Sequence, residues 1–306
     1  MKRLGQARSV WQGLLLLCLI PVCASAQPRG KVLIVVTSAA GPYGTALAGL
    51  RAGLAGQTMA TIDLSAAAPL ETQNWIRAHR PAVVVAVGSK ATLAAVAAAA
   101  RRVPVISAMV LGWDGQAQGA ASVLGLEPAA PRWLERLAGL FPHLRRLGLL
   151  AGHAIPPAQL DAIEAEAVQM GYSVRKARCA GVQEALAAIA AMAGNVDLIW
   201  CAPDSTLFNE TTVKPLLLAA LQRQVPLIGF SEAFVRAGAA AGFFADFEDI
   251  GLRAAEVAQR VMGGGAVPAF EPPRIVKVAV NERVVRLLGL RHKMADPQKM
   301  EALVIQ

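Results

Sequence analysis

Aromatic residues make up only 5% of this 306-residue chain, and histidine and cysteine occur four times each. No Gly-x-Ser-x-Gly elbow and no Walker A loop is present, which removes two common signatures of hydrolytic and nucleotide-driven chemistry. His79, His143, His153 and His292 are scattered without metal-ligand spacing, so no metal centre is expected. The net charge of +9 is spread along the chain, and without a basic stripe nucleic-acid binding is not expected. Beyond the N-terminus no apolar run is long enough to span a bilayer. The stretch 91–100 is short and is followed by Arg101 and Arg102.

The N-terminus has the pattern of a secretory signal. Lys2, Arg3 and Arg8 precede an apolar segment at 13–22, and Ala24-Ser25-Ala26 offers small residues for cleavage, with Gln27 first in the mature chain. A lipid anchor at Cys23 fits less well, because bulky Val22 stands where a small residue is expected. Removal of 1–26 takes away three bases and no acid, lowering the net charge to +6. Cys179 and Cys201 then remain. Both are expected near strand ends with another strand between them, too far apart to pair, and so to be buried thiols.

The rest alternates short apolar runs with helical patterns, which argues for βαβ units and parallel sheets. Strands are expected at 31–37, 59–64, 82–87, 103–107 and 121–126, with helices at 43–55, 70–79 and 89–101. A second set has strands at 146–151, 173–179, 196–201, 227–231, 241–246 and 275–280. Its helices fall at 131–141, 157–170, 182–193, 207–222 (interrupted near Pro215), 249–262 and 282–288. Val103-Pro104 and Val225-Pro226 open corresponding strands, which suggests two similar lobes.

In open α/β sheets, ligands bind beyond the carboxyl ends of the strands. The candidate positions are therefore Ser38, Ser89, Lys90, Ser107, Met109 and Trp113 in the first lobe. In the second they are Asp204, Ser205, Thr206, Phe230, Ser231, Glu232 and Asp246. Ser89 and the Asp204-Ser205-Thr206 group stand where helices begin, and free amides there attract an anion; the same residues also serve as plain N-caps. The carboxylates can meet a ligand ammonium or remain solvated caps. Trp113 and Phe230 offer flat surfaces for stacking. No catalytic pair emerges and no cofactor is expected. Two-cysteine racemases need one thiol from each lobe, whereas both thiols here fall in the second.

An ordered set of segments resembles a known family. It comprises Val196-Asp197-Leu198-Ile199 through Pro203-Asp204-Ser205-Thr206, Val225-Pro226-Leu227-Ile228, Val235-Arg236-Ala237-Gly238-Ala239, Asp246, Asp249-Ile250-Gly251, Val261-Met262-Gly263-Gly264 and Val280-Asn281. The family is the substrate-binding proteins of ABC transporters, in the branch typified by tryptophan- and tyrosine-binding components. The resemblance implies a periplasmic-binding-protein type I-like α/β fold, with two Rossmann-like lobes joined by a hinge. The implied lobes are 27–126 plus 247–264, and 127–246 plus 265–306. It further implies a non-enzymatic, monomeric, periplasmic protein that captures a small, carboxylate-bearing solute by hinge closure and delivers it to an inner-membrane permease. A sensory subunit reporting to a membrane signalling partner stays open as the alternative. Three departures separate this chain from the typified members, the first being a short first loop. Ala233 replaces a usual acidic residue, and Met109-Val110-Leu111-Gly112 replaces a usual Asp-Pro.

Overall fold

The computed structural model describes residues 31–68, 70–111, 118–293 and 302–305. The N-terminal signal and Trp113 lie outside the described residues. The first half supplies β1 (Lys31–Val36), β2 (Thr58–Asp63), β3 (Val83–Val87), β4 (Val105–Val110) and β5 (Ser122–Gly125). Between them run α1 (Gly41–Gly53), α2 (Glu71–His79) and α3 (Ser89–Ala99). β1 and β3 are continuous apolar runs because helices cover both faces of the sheet, and both strands are buried along almost their whole length.

After α4 (Ala130–Leu140) the second half supplies β6 (Arg146–Gly152), β7 (Ser173–Cys179), β8 (Leu198–Cys201), β9 (Leu227–Gly229) and β10 (Ala241–Ala245). α5 (Pro157–Gln169), α6 (Val182–Met192), α7 (Val213–Gln222) and α8 (Glu232–Ala237) connect them. α9 (Phe247–Met262), β11 (Phe270–Glu271), β12 (Val276–Asn281), α10 (Glu282–Leu287) and β13 (Ala302–Ile305) complete the chain.

Two sheets result. The first has the order β11-β5-β4-β3-β1-β2 and is parallel throughout. The second has the order β13-β12-β10-β9-β8-β6-β7, parallel except where β10 meets β12. Among the described residues three crossings join them: β5 to α4, β10 to α9, and β11 to β12. The crossings are tied to one another, since Asp246 N–H donates to Ile275 O (3.3 Å) and Arg132 Nη1 donates to Arg274 O (3.0 Å). α9 leaves the second sheet and packs on α1 of the first.

Some expectations change. β4 runs on to Val110, so Ser107 is not the last residue of its strand and Met109 belongs to the strand rather than to the following loop. The helix expected from 207 starts at Val213, and 205–212 is a series of turns. Pro215 therefore sits in a first turn, where its missing N–H has no carbonyl to bond. The strands β11 and β13 have no counterpart in the sequence pattern, and β11 joins the first sheet although 265–306 was expected in the second lobe. β6 lies between β7 and β8 and separates the buried, free Cys179 and Cys201, as expected.

Candidate functional site

The interior strands of the first sheet include β4, β3 and β1, and those of the second include β10, β9, β8 and β6. The loops at their carboxyl ends carry most of the expected site. At the end of β3, Gly88 adopts φ +95°. A Cβ there would fall 2.5 Å from Thr37 Oγ1 and 2.7 Å from the Tyr43 ring, so both conformation and space demand glycine. Gly88 is also the N-cap of α3 and provides no side-chain cap. Thr37 Oγ1 accepts the Ala91 N–H at 3.2 Å. The intervening amides of Ser89 and Lys90 belong to the first turn, which the helix itself does not satisfy. An anion fits such a helix start.

Ser38 is half-buried, and its Oγ accepts the Ala40 N–H at 3.3 Å. The loop it sits on is pinned by Asp63, a residue the sequence reasoning passed over at the end of β2. Asp63 Oδ2 accepts the Ala39 N–H (2.9 Å) and Oδ1 accepts the Ser65 hydroxyl (2.6 Å). Those bonds, with the Ser65 hydroxyl foremost, hold its carboxyl below the usual aspartate value. Lys90 is exposed and lines a groove of about 450 Å³ between α3 and the turn after β2. Ser107 was expected at a strand end and Met109 in the following loop; the extension of β4 draws both into the core. Ser107 Oγ lies 2.6 Å from Thr92 Oγ1, and Met109 packs in the first-lobe core with φ +61°.

In the second lobe the expected polar residues divide. Asp204 is buried, and the chain engages both its oxygens. Oδ1 accepts the Thr206 N–H (2.8 Å) and hydroxyl (2.6 Å), and Oδ2 accepts the Ala154 N–H (3.2 Å). It ties the loop after β6 to the loop after β8. Ser205 and Thr206 remain exposed on that loop. Ser231 caps α8 by accepting the Phe234 N–H at 3.2 Å. Glu232 pairs with Arg236 one turn on, at 2.6 Å. Asp246 caps α9 and pairs with Lys277 at 2.8 Å. Burial pushes its carboxyl upward, but the Lys277 ammonium and the amides of Asp249 and Glu248 outweigh this and leave it lowered. Thus Asp204, Glu232 and Asp246 all have partners within the protein.

Phe230 does stand at a pocket. Phe208, Phe230 and Phe234 form a cluster with ring centroids 5.3–5.9 Å apart. Together with Asn209, Lys214 and Ser231 they line a cavity of about 600 Å³ beside the starts of α7 and α8. The sequence reasoning missed Phe208, Asn209 and Lys214 because it read 207–222 as one helix. The signal was available. Asn209 Oδ1 accepts the Thr211 N–H (3.1 Å) and hydroxyl (2.7 Å), an Asx turn suited to Asn-x-Thr shortly before a proline.

This set of groups suits binding more than bond making. Burial pushes the Cys179 thiol up to about 11 and raises Cys201 further, so neither is a ready thiolate. Among the described residues no group of three or more His, Cys, Asp or Glu could hold a metal ion.

Comparison with known proteins narrows the assignment. A family model described as ABC transporter substrate binding protein matches residues 57–293. The tyrosine-binding protein of Clostridioides difficile (strain R20291) is 22% identical over 186 residues, 60% of this chain. The chain spans about half the length of that curated relative, 52%. The ligand-free, open structure of a Clostridium difficile substrate binding protein with adhesive properties superposes with a TM-score of 0.69 at 16% identity. It covers 90% of this chain and 99% of that one. An ABC domain in complex with L-Trp from Streptococcus pneumonia gives 0.63 at 17% identity, covering 90% and 100%. The fold is therefore the two-lobed one expected from the sequence.

Proposed function

Because the chain belongs to the ABC transporter substrate binding protein family, a family of solute-binding proteins rather than enzymes, we propose that it captures a small, carboxylate-bearing solute between its lobes. The observation that carries this reading is the start of α3, where Gly88 supplies no cap and the Ser89 and Lys90 amides remain for an anion. The solute's carboxylate docks there, and its apolar body packs against Phe230 and Phe208 of the second lobe. Contacts to both lobes are made together only when the hinge is shut, so binding favours closure. Ser38, Ser205 and Thr206 border the same cleft, with Trp113 as a further candidate wall. The relatives named for tyrosine and L-Trp put amino acids first among solutes to try. Ala233, in place of the usual acid, leaves the ammonium end of such a ligand less well served.

In this reading residues 1–26 direct export and are removed, the monomer works in the periplasm, and the loaded form delivers its cargo to an inner-membrane permease. A thermal-shift screen of residues 27–306 against amino acids, small carboxylates, sugars and nucleosides tests it. A ligand at a hundredfold its Kd adds about 2.7 kcal/mol of stability, well within detection. The hit should lose roughly tenfold or more in affinity when its carboxylate becomes an amide, the value of a hydrogen bond to a charged group. Ser89→Pro should reproduce that loss in a folded protein, because proline at a first helical position removes one N–H and otherwise fits. A hit indifferent to both changes places the carboxylate elsewhere, and a hit that is chemically consumed sinks the non-enzymatic reading.

A further inference from the structure

A second cavity, of about 290 Å³, lies at the hinge and shares no residue with the cleft candidates. Its walls come from both sheets. Phe270 belongs to β11, which pairs with β5 in the first sheet. Trp133 of α4, Trp200 of β8 and the α5 residues Ala162 and Glu166 belong to the second lobe. Trp133 and Trp200 stack with centroids 4.6 Å apart and planes 7° from parallel. Phe270 is 46% exposed, an aromatic ring left half in water. Glu166 is half-buried and makes no ion pair or side-chain hydrogen bond among the described residues. No lining residue is basic.

We propose that this hinge cavity is a second ligand site, for a small aromatic cation, and that its occupancy biases the angle between the lobes. The chemistry selects the ligand class. Phe270 leaves a ring face for a flat ligand above the buried Trp133–Trp200 stack, and that face favours a cation through its negative π system. Glu166 supplies the counter-charge and repels an anion of the same shape. The coupling follows from the topology. Phe270 moves with the first sheet and Glu166 with the second, so any lobe rotation alters the space between them. A ligand touching both binds one lobe angle better than others, and by linkage it changes cargo affinity in the cleft.

Isothermal titration of the 27–306 protein with phenethylammonium, and with 3-phenylpropionate as a probe of similar shape and opposite charge, tests the assignment. Phenethylammonium should bind with a Kd of about 1 mM or tighter, which is reasonable for so small a molecule, and phenylpropionate should bind far more weakly at this site. Glu166→Gln should weaken phenethylammonium roughly fivefold or more, about 1 kcal/mol of a charged contact. Ala162→Phe, on an exposed helical position, should fill the cavity and abolish binding. Phe230→Ala, in the cleft pocket, should leave it unchanged. Small-angle scattering should show a different radius of gyration at saturation. Equal affinity for the anion, indifference to both hinge variants, no binding at about ten times that concentration, or loss in Phe230→Ala would each overturn the site. An unchanged radius of gyration on binding would overturn the coupling.

Discussion

Two helices cross from one lobe into the other, and they are seated in opposite ways. α9 enters the first lobe with a capped start, Asp246 accepting the amides of Glu248 and Asp249. It then meets α1 backbone to backbone. A Cβ on Gly251 would fall 2.0 Å from Ala46 O and 2.7 Å from Leu50 N, so no side chain lies between the helices there. α4 enters the second lobe with Ala129 as an uncapping N-cap and Pro131 in its first turn. Large side chains fill its contact, with Trp133 laid on Trp200, and space remains beside them. The difference separates rigidity from room. A backbone contact has no rotamer to adjust, so α9 and the first lobe move as one piece. A contact made of side chains can leave a cavity at the hinge.

The strongest challenge to this contrast is Gly251→Ala. It should cost about 3 kcal/mol, the upper part of the usual overpacking range, read as a lower urea midpoint at unchanged slope. A loss below about 1 kcal/mol would mean that α1 and α9 slide apart easily, and the contrast would fail. Glu271→Gln comes next. Arg253 reaches Glu271 through Nε (2.8 Å) and Nη2 (2.7 Å), with the two side chains 16% and 18% exposed. The pair ties β11 to α9, and breaking it should cost on the order of 2 kcal/mol after allowance for partial solvent screening.

Asp246→Ala should cost about 1 kcal/mol at neutral pH through the lost cap. Its pH dependence follows from the lowered carboxyl. A depressed folded-state value contributes stability above the unfolded value, near 3.8, and that stability is lost as pH falls through the folded value. The gap between wild type and variant should therefore be full at neutral pH and close below about pH 4 in acid unfolding curves. The smallest effect is expected on the other side of the comparison. Ala162→Leu on α5 points at open space and should change stability by no more than about 0.5 kcal/mol. A large loss there would show that α5 is packed as tightly as α9.

Much of the fold was legible. β3, Val83–Val87, is an unbroken apolar run, and β6 begins at its expected residue, Arg146. Such runs reveal themselves because a strand covered on both faces needs apolar residues at every position. β11 and β13 were not legible. Two and four residues carry too little periodicity, and their pairing with β5 and β12 is decided by neighbours far along the chain. The site was legible as a set of loops rather than as a set of side chains. Phe230 and Ser231 reach a pocket, and Ser89 starts an uncapped helix. Ser107 was expected at the very end of its strand, beside the loop, and lies in the core, because β4 continues past it through a register shift between Ala108 and Val110.

The sequence by itself determined most of the order of strands and helices and the local cap at Asp246. Each depends on residues close together in the chain, on periodicity and on the chemistry of a single turn. Only the tertiary structure decided which polar groups have surface left for a ligand. Asp204 looks like a free strand-end acid until Ala154, fifty positions earlier, donates to it across neighbouring loops. Phe270 looks like tail until β5 takes it into the first sheet. A hydrogen-bond partner or a sheet neighbour brought in from a distant segment leaves no trace in local pattern, and those partners decide whether a carboxylate is a fastening or a binding group.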